Sequence, residues 1–169
     1  MKVKVAGLER LKLRVAGIPK EVRAATKAAL RKNAQELTAA QKSLVPAESG
    51  DLRHSIGYTF GPYKPANSNV RGVSSGAVGE IDPDLTVIVH AGDEKAYYAA
   101  MVEFGTAPHE IKPKKAPALR LKGNRYVERV DHPGSEPHPF FFPPYRMMRR
   151  RLKGRVTRAM RKAVKDAAK

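Results

Sequence analysis

Apolar and small residues recur at steps of three and four along the first part of the chain. Val22, Thr26, Ala29, Asn33, Leu37, Ala40 and Leu44 share one weakly apolar face, which predicts a helix from Pro19 to Leu44. Pro19 suits a first helical position, and Pro46 ends the run. Leu30, Leu37 and Leu44 repeat at seven, but no heptad register is long enough for a coiled coil. Alternation then replaces the helical period: Leu85, Val87 and Val89 stand against Thr86, Ile88 and His90, so Leu85 to Ala91 reads as the clearest strand. Tyr97 to Phe104 is apolar in a pattern that suits both a short helix and a strand. Ala118 to Leu121 and Tyr126 to Val130 flank Lys122-Gly123-Asn124 and predict a hairpin. A last helix is expected from Pro144 to Ala168, with Met148, Leu152, Val156, Ala159, Ala163 and Ala167 as its apolar stripe.

Between these elements the punctuation is dense. Ser49-Gly50-Asp51 and Asp82-Pro83-Asp84 are turn sequences, and Gly61 to Gly79 is rich enough in Gly, Pro, Ser and Asn to read as a mobile loop. That loop is either a contact arm that orders on assembly or a plain excursion. Prolines at 133, 137, 139, 143 and 144 exclude helix and central strand from Asp131 to Pro144. Phe140, Phe141 and Phe142 lie in that stretch and will not stay in water, so it is expected to run extended across its own domain or across a neighbour.

The expected class is therefore α+β: a mainly antiparallel sheet packed against a long N-terminal helix, with a basic C-terminal helix. At 169 residues one domain is expected, with an extension over 1–18, a helix over 19–45, a sheet-containing core over 46–143 and the basic helix over 144–169.

Charge changes the picture at both ends. The net charge is +17, distributed as +8 over residues 1–45, −1 over 46–145 and +10 over 146–169. Two cationic helical arms on a neutral centre suit a polyanion or an acidic protein surface, and they equally suit solvated helix faces. Arg149, Arg150, Arg151, Arg155, Arg158, Arg161 and Lys162 are the candidate contacts. No aromatic follows Tyr145 in that helix, so contact with nucleic acid would be to phosphates and independent of sequence.

Little points to chemistry. The chain has no cysteine, which excludes disulfides, thiolate metal sites and cysteine nucleophiles and suits assembly in a reducing cytoplasm. The five histidines, His54, His90, His109, His132 and His138, are scattered without metal-ligand spacing. Glu103 with His109 is the one acid/base pairing to consider, and nothing local supplies a nucleophile. Phosphate-binding glycine loops and nucleophile elbows are absent. Neither an enzyme nor a cofactor is expected. Lys and Arg interrupt Met1 to Gly17, and no window approaches the ~20 apolar residues of a membrane span, so neither export nor a membrane is expected.

Three elements in order resemble the Hong Kong 97-type bacteriophage tail-completion and head-tail joining (neck) proteins. A P-x-x-S/T-G-x-L-R-x-S-I element is matched by Pro46, Ser49, Gly50, Leu52, Arg53, Ser55 and Ile56. A Y-A-x-x-V-E-F-G-T element is matched by Tyr98, Ala99, Val102, Glu103, Phe104, Gly105 and Thr106. A P-F-x-x-P-A element is matched by Pro139, Phe140 and Pro143, with Pro144 where the family usually has Ala.

The resemblance implies a small α/β subunit without catalysis that acts in a ring, sixfold like phage tails, to complete the tail and join it to the filled head. Its implied partners are copies of itself, tail-tube proteins and head-closure or connector proteins, with double-stranded DNA as a non-specific contact. Assembly in the host cytoplasm and residence in the neck or tail of the virion follow. Candidate assembly residues are Tyr98, Val102, Glu103, Phe104, Gly105, Thr106, Pro139, Phe140, Phe141, Phe142 and Pro143. For Glu103 to Thr106 the plain alternative is a core strand ending in a turn; for the phenylalanines it is the subunit's own core. The rival function is a sequence-independent nucleic-acid-binding module.

Overall fold

In the computed structural model, residues 20–46, 50–64, 82–113 and 117–167 are described. The 1–18 extension, Ser49, the 65–79 part of the expected loop and Ala168 lie outside them.

Helix α1 spans Lys20–Leu44 and buries Val22, Thr26, Ala29, Asn33, Ala34, Leu37, Thr38 and Gln41. Its partner α4, Phe142–Ala167, runs antiparallel to it: Gln41 meets Phe141, whereas Asn33, eight positions earlier, meets Leu152. Leu44 is 51% exposed rather than on the packed face, because it lies past the point where α4 begins. Of the stripe expected on α4, Leu152 is buried and Met148, Val156, Ala159 and Ala163 are half-buried, while the burial of Ala167 lies outside what is described. The helix starts two residues before Pro144, however, and takes Phe142 and Pro143 into its first turn. Prolines are tolerated there because first-turn N–H groups have no intrahelical acceptor.

The seam between these helices is largely polar. Asn33 donates to the Leu152 carbonyl at 2.9 Å and accepts from Arg155 at 2.7 Å. Glu36 takes a second Arg155 hydrogen bond at 2.7 Å and one from Arg151 at 3.0 Å. The Arg155 hydrogen bond holds the Glu36 carboxyl below its usual range.

Short elements fill one end of the helix pair. Helix α2 (Asp51–Ser55) leads into β1 (Gly57–Phe60), which pairs antiparallel with β2 (Val87–His90). This ladder packs against α1. Lys27 and Arg31 lie over the Phe60 ring, and Arg23 and Lys27 reach Asp82 and Asp84 at 2.7 and 2.6 Å. Asp82 Oδ1 accepts the N–H groups of Asp84 and Leu85, so Leu85 belongs to the turn and the strand starts at Val87. Tyr97 to Phe104 resolves as helix α3, Ala99–Phe104. Val45, Leu52, Ile56, Ala96, Ala99 and Phe140 form the apolar core, joined by Ala91, Tyr98, Val102 and Phe141.

The remaining strands form an arm. Strands β3 (His109–Ile111) and β6 (Val130–His132) pair antiparallel, and β4 (Leu119–Leu121) pairs with β5 (Arg125–Val127) beyond them. The expected hairpin is present, turning on Gly123 and Asn124 with φ of 85° and 59°. It does not join the ladder on α1; among the described residues the strands form three separate two-stranded ladders. The fold is thus α+β, with a long N-terminal helix, small antiparallel ladders and a C-terminal helix.

His90 stacks on Tyr63, with centroids 4.1 Å apart, and its buried Nδ1 has no partner among the described residues. Burial lowers its pKa from the ordinary 6.5. The neutral ring is favoured by folding, so stability is full above about pH 6.5 and is lost as pH falls from there through the depressed folded value. Thermal melting between pH 7.5 and 5 should show this loss, and His90→Asn should remove that part of the slope.

Candidate functional site

Helix α3 ends at Gly105, whose φ of 69° and ψ of −177° turn the chain sharply. Two residues earlier, the helix aims Glu103 inward, where the side chain is buried. Its carboxylate accepts the backbone N–H groups of Phe140 and Phe141 on Oε2, both at 2.7 Å, and that of Phe142 on Oε1 at 3.1 Å. Phe142 is the first residue of α4. Helix N-termini leave about four N–H groups without acceptors, and here Pro143 and Pro144 contribute none. A carboxylate also suits the positive end of the helix dipole. Glu103 therefore caps α4 from a distant part of the chain.

The surrounding backbone closes the same joint. His138 N–H donates to the Val102 carbonyl at 2.7 Å, and Thr106 and Ser135 exchange hydrogen bonds at 3.0 and 3.1 Å. Two glycines permit this approach. A Cβ on Gly105 would lie 2.5 Å from the Ser135 oxygen, and one on Gly134 would lie 2.2 Å from the Thr106 oxygen. Gln41 adds a hydrogen bond from α1 to the Phe141 carbonyl at 3.0 Å.

The three phenylalanines divide around this clasp. Phe140 is 1% exposed in the core, Phe141 is partly buried, and Phe142 is 40% exposed. Phe142 lies 6.0 Å from Phe104, which is 67% exposed, and Arg146 covers its ring. An apolar groove of about 140 Å³ runs beside them, with Ala99, Ala100 and the three phenylalanines in its lining. Tyr97 and Met101 are exposed on the same short stretch.

The structure thus brings Val102, Glu103, Gly105 and Thr106 together with the chain from Gly134 to Phe142. Tyr98 packs on the core, Pro139 is exposed and Pro143 is half-buried. Sequence reasoning missed Gln41, Gly134, Ser135 and His138. A polar residue four positions after Leu37 on the packed face was a usable signal for Gln41; backbone donors such as His138 N–H have none. Glu103 does not pair with His109, whose Nδ1 lies 2.9 Å from the Ala107 oxygen.

The cationic residues of α4 also divide. Arg151 and Arg155 are tied to Glu36. Arg149, Arg150, Arg158, Arg161 and Lys162 are exposed and make no ion pair among the described residues. Among the described residues no group of three His, Cys, Asp or Glu is placed to hold a metal, and no helix is long and apolar enough to cross a membrane.

Removing the cap leaves three N–H groups without their acceptor. Glu103→Ala should lower stability by about 3 kcal/mol or more, read by chemical denaturation. Glu103→Gln keeps one acceptor oxygen for Phe140 and Phe141 and should lose roughly half as much. Equal stability of Glu103→Ala and wild type would refute the capping role.

No curated protein and no solved structure matches the chain. The family model for bacteriophage HK97-gp10 tail components matches residues 9–105, which take in α1, the α2 element and α3 with Glu103 and end at Gly105. With more than half of its 169 residues matched, the chain belongs to the HK97-gp10-like family of bacteriophage tail components.

Proposed function

We propose that this tail component is a tail-completion subunit of the neck, acting in a ring, sixfold by tail symmetry, that joins the tail to the head around the DNA channel. It works without catalysis, is assembled in the host cytoplasm, and contacts tail-tube and head-closure or connector proteins. The observation that carries this reading is the Phe104–Phe142 pair, left exposed beside the buried Glu103 and Phe140. Contiguous exposed aromatic surface on a soluble chain marks a place where another protein sits. The Glu103 clasp holds both rings on fixed backbone, which lowers the entropic cost of docking.

A second reading, sequence-independent contact with DNA, is favoured by the exposed Arg149, Arg150, Arg158, Arg161 and Lys162, which make no ion pair among the described residues. A ring around the channel accommodates both readings, because phosphate contacts need charge and no base-reading side chains.

Phe104→Ala removes an exposed ring and should change subunit stability by no more than about 0.5 kcal/mol while sharply reducing joined, infectious particles. Phe140→Ala should instead cost on the order of 3–5 kcal/mol in the subunit itself. Normal particle yield from Phe104→Ala and Phe142→Ala together would sink the assembly reading of this surface. Any affinity for DNA should fall steeply with salt and should weaken in Arg149→Glu with Arg150→Glu; a strong preference for one DNA sequence would contradict the phosphate reading.

A further inference from the structure

Among the described residues, the arm that leaves the body between Thr106 and Ser135 buries nothing against its own subunit. No described residue from Ala107 to Pro139 is buried. Its side-chain interactions stay local: Glu110 pairs with Lys112 and Arg129, Arg120 bonds Asn124, and His109 stacks on His132. Two-stranded ladders are marginal by themselves in water and gain stability by covering a face. Yet the root of this arm is held firmly by the Thr106–Ser135 pair and by the close approach of Gly105 and Gly134. A rigidly rooted projection with both faces open is built to reach something else.

Its charge and its apolar residues narrow what that is. From Lys112 to Val127 the chain carries Lys112, Lys114, Lys115, Arg120, Lys122 and Arg125 and no acid. Among these cations Tyr126 is 66% exposed and Leu121 38% exposed. Phosphates alone would leave these apolar groups in water, whereas protein interfaces bury aromatic and arginine side chains together. The partner surface is therefore acidic protein. The body of the same chain carries one: an open hollow of about 560 Å³ is lined by Asp51, Asp93 and Glu94, with His54 and Lys95. It lies between the start of α2 and the turn before α3, and the Asp93 carboxylate fixes that turn by accepting the N–H groups of Lys95 and Ala96.

We propose that the cationic tip of the arm, around Lys122, Arg125 and Tyr126, docks against the Asp51–Asp93–Glu94 face of a second copy of this chain. Arm tip and acidic face are different surfaces, so the contact can repeat head to tail from copy to copy, the arrangement that makes a ring where the rotation closes. The inference rests on the ring reading above and names the contact that would build it.

The test starts from the full chain. Subunit stoichiometry in assembled particles and the association constant of purified subunits are measured first, then repeated for Lys122→Glu, Glu94→Lys and the two combined. Each single reversal should weaken association about tenfold or more, and the combination should recover most of it. The chain contains no cysteine, so Lys122→Cys with Glu94→Cys, treated with a flexible bis-maleimide, should give a ladder of covalent multimers. A multi-copy particle in which the reversals change nothing and no ladder forms overturns this contact and leaves the ring reading standing. Reversals that weaken DNA binding but not self-association overturn it in favour of a nucleic-acid partner. One copy per particle sinks the ring reading and this contact with it.

Discussion

A single buried carboxylate determines where the C-terminal helix begins. The chain before α4 presents the Phe140, Phe141 and Phe142 N–H groups in succession, and Glu103 receives all three. Without that acceptor the prolines at 143 and 144 would permit a helix start but would not place it. With it, α4 is anchored to α3, and the register of the helix pair follows. Gln41 reaches the Phe141 carbonyl at one end of the seam, while Asn33, Glu36, Arg151 and Arg155 interlock further along. A purely apolar seam of small residues such as Ala29 and Ala34 would tolerate sliding by a turn. Directional hydrogen bonds do not, and they make the pairing specific even where their net contribution to stability is small.

The same carboxylate separates surfaces of different kind. Its hydrogen bonds draw the Phe140 ring into the core and leave Phe142 beside Phe104 at the surface. Gly105 and Gly134 then allow the two chain segments to part as a closely rooted arm. Aromatic surface and arm root are thus consecutive consequences of one turn, Glu103-Phe104-Gly105-Thr106. The cationic face of α4 is set by the seam instead, since Arg151 and Arg155 are tied to Glu36 and Arg149, Arg150, Arg158, Arg161 and Lys162 are left exposed.

What the sequence made legible follows from what carries a periodic signal. The long helices show as steps of three and four, although Leu44 fits the pattern and stays exposed while Gln41 breaks it and is buried. The Gly123 hairpin is visible because left-handed turn residues lie between apolar runs. Strand β3 is invisible, because His109, Glu110 and Ile111 are all exposed and no alternation is needed where neither face is covered. The Tyr97 to Phe104 ambiguity between helix and strand also has a physical origin. A run of eight residues is too short to separate the two periods, and tertiary contact with the core decides it. At the site, residues Glu103, Gly105 and Phe140 could be singled out, but their relation could not. Nothing in a run of side chains shows that a glutamate is waiting for three backbone donors some 37 residues away.

The acceptor and its donors make different demands on the chain. The matched region closes at Gly105, two residues after the glutamate that supplies the acceptor, and the donors lie beyond it. An acceptor carboxylate on a short helix before a glycine turn demands particular side chains. The segment that answers it needs only three successive N–H groups, a residue able to fill the core, and a chain direction that can enter a helix. Many sequences satisfy those demands, since any residue other than proline donates from its backbone. The Phe140-Phe141-Phe142-Pro143-Pro144 run is one solution, and its prolines are admissible because they start only after the third donor. The joint is therefore specified unequally from its two sides, by residue identity on the α3 side and by backbone geometry on the α4 side.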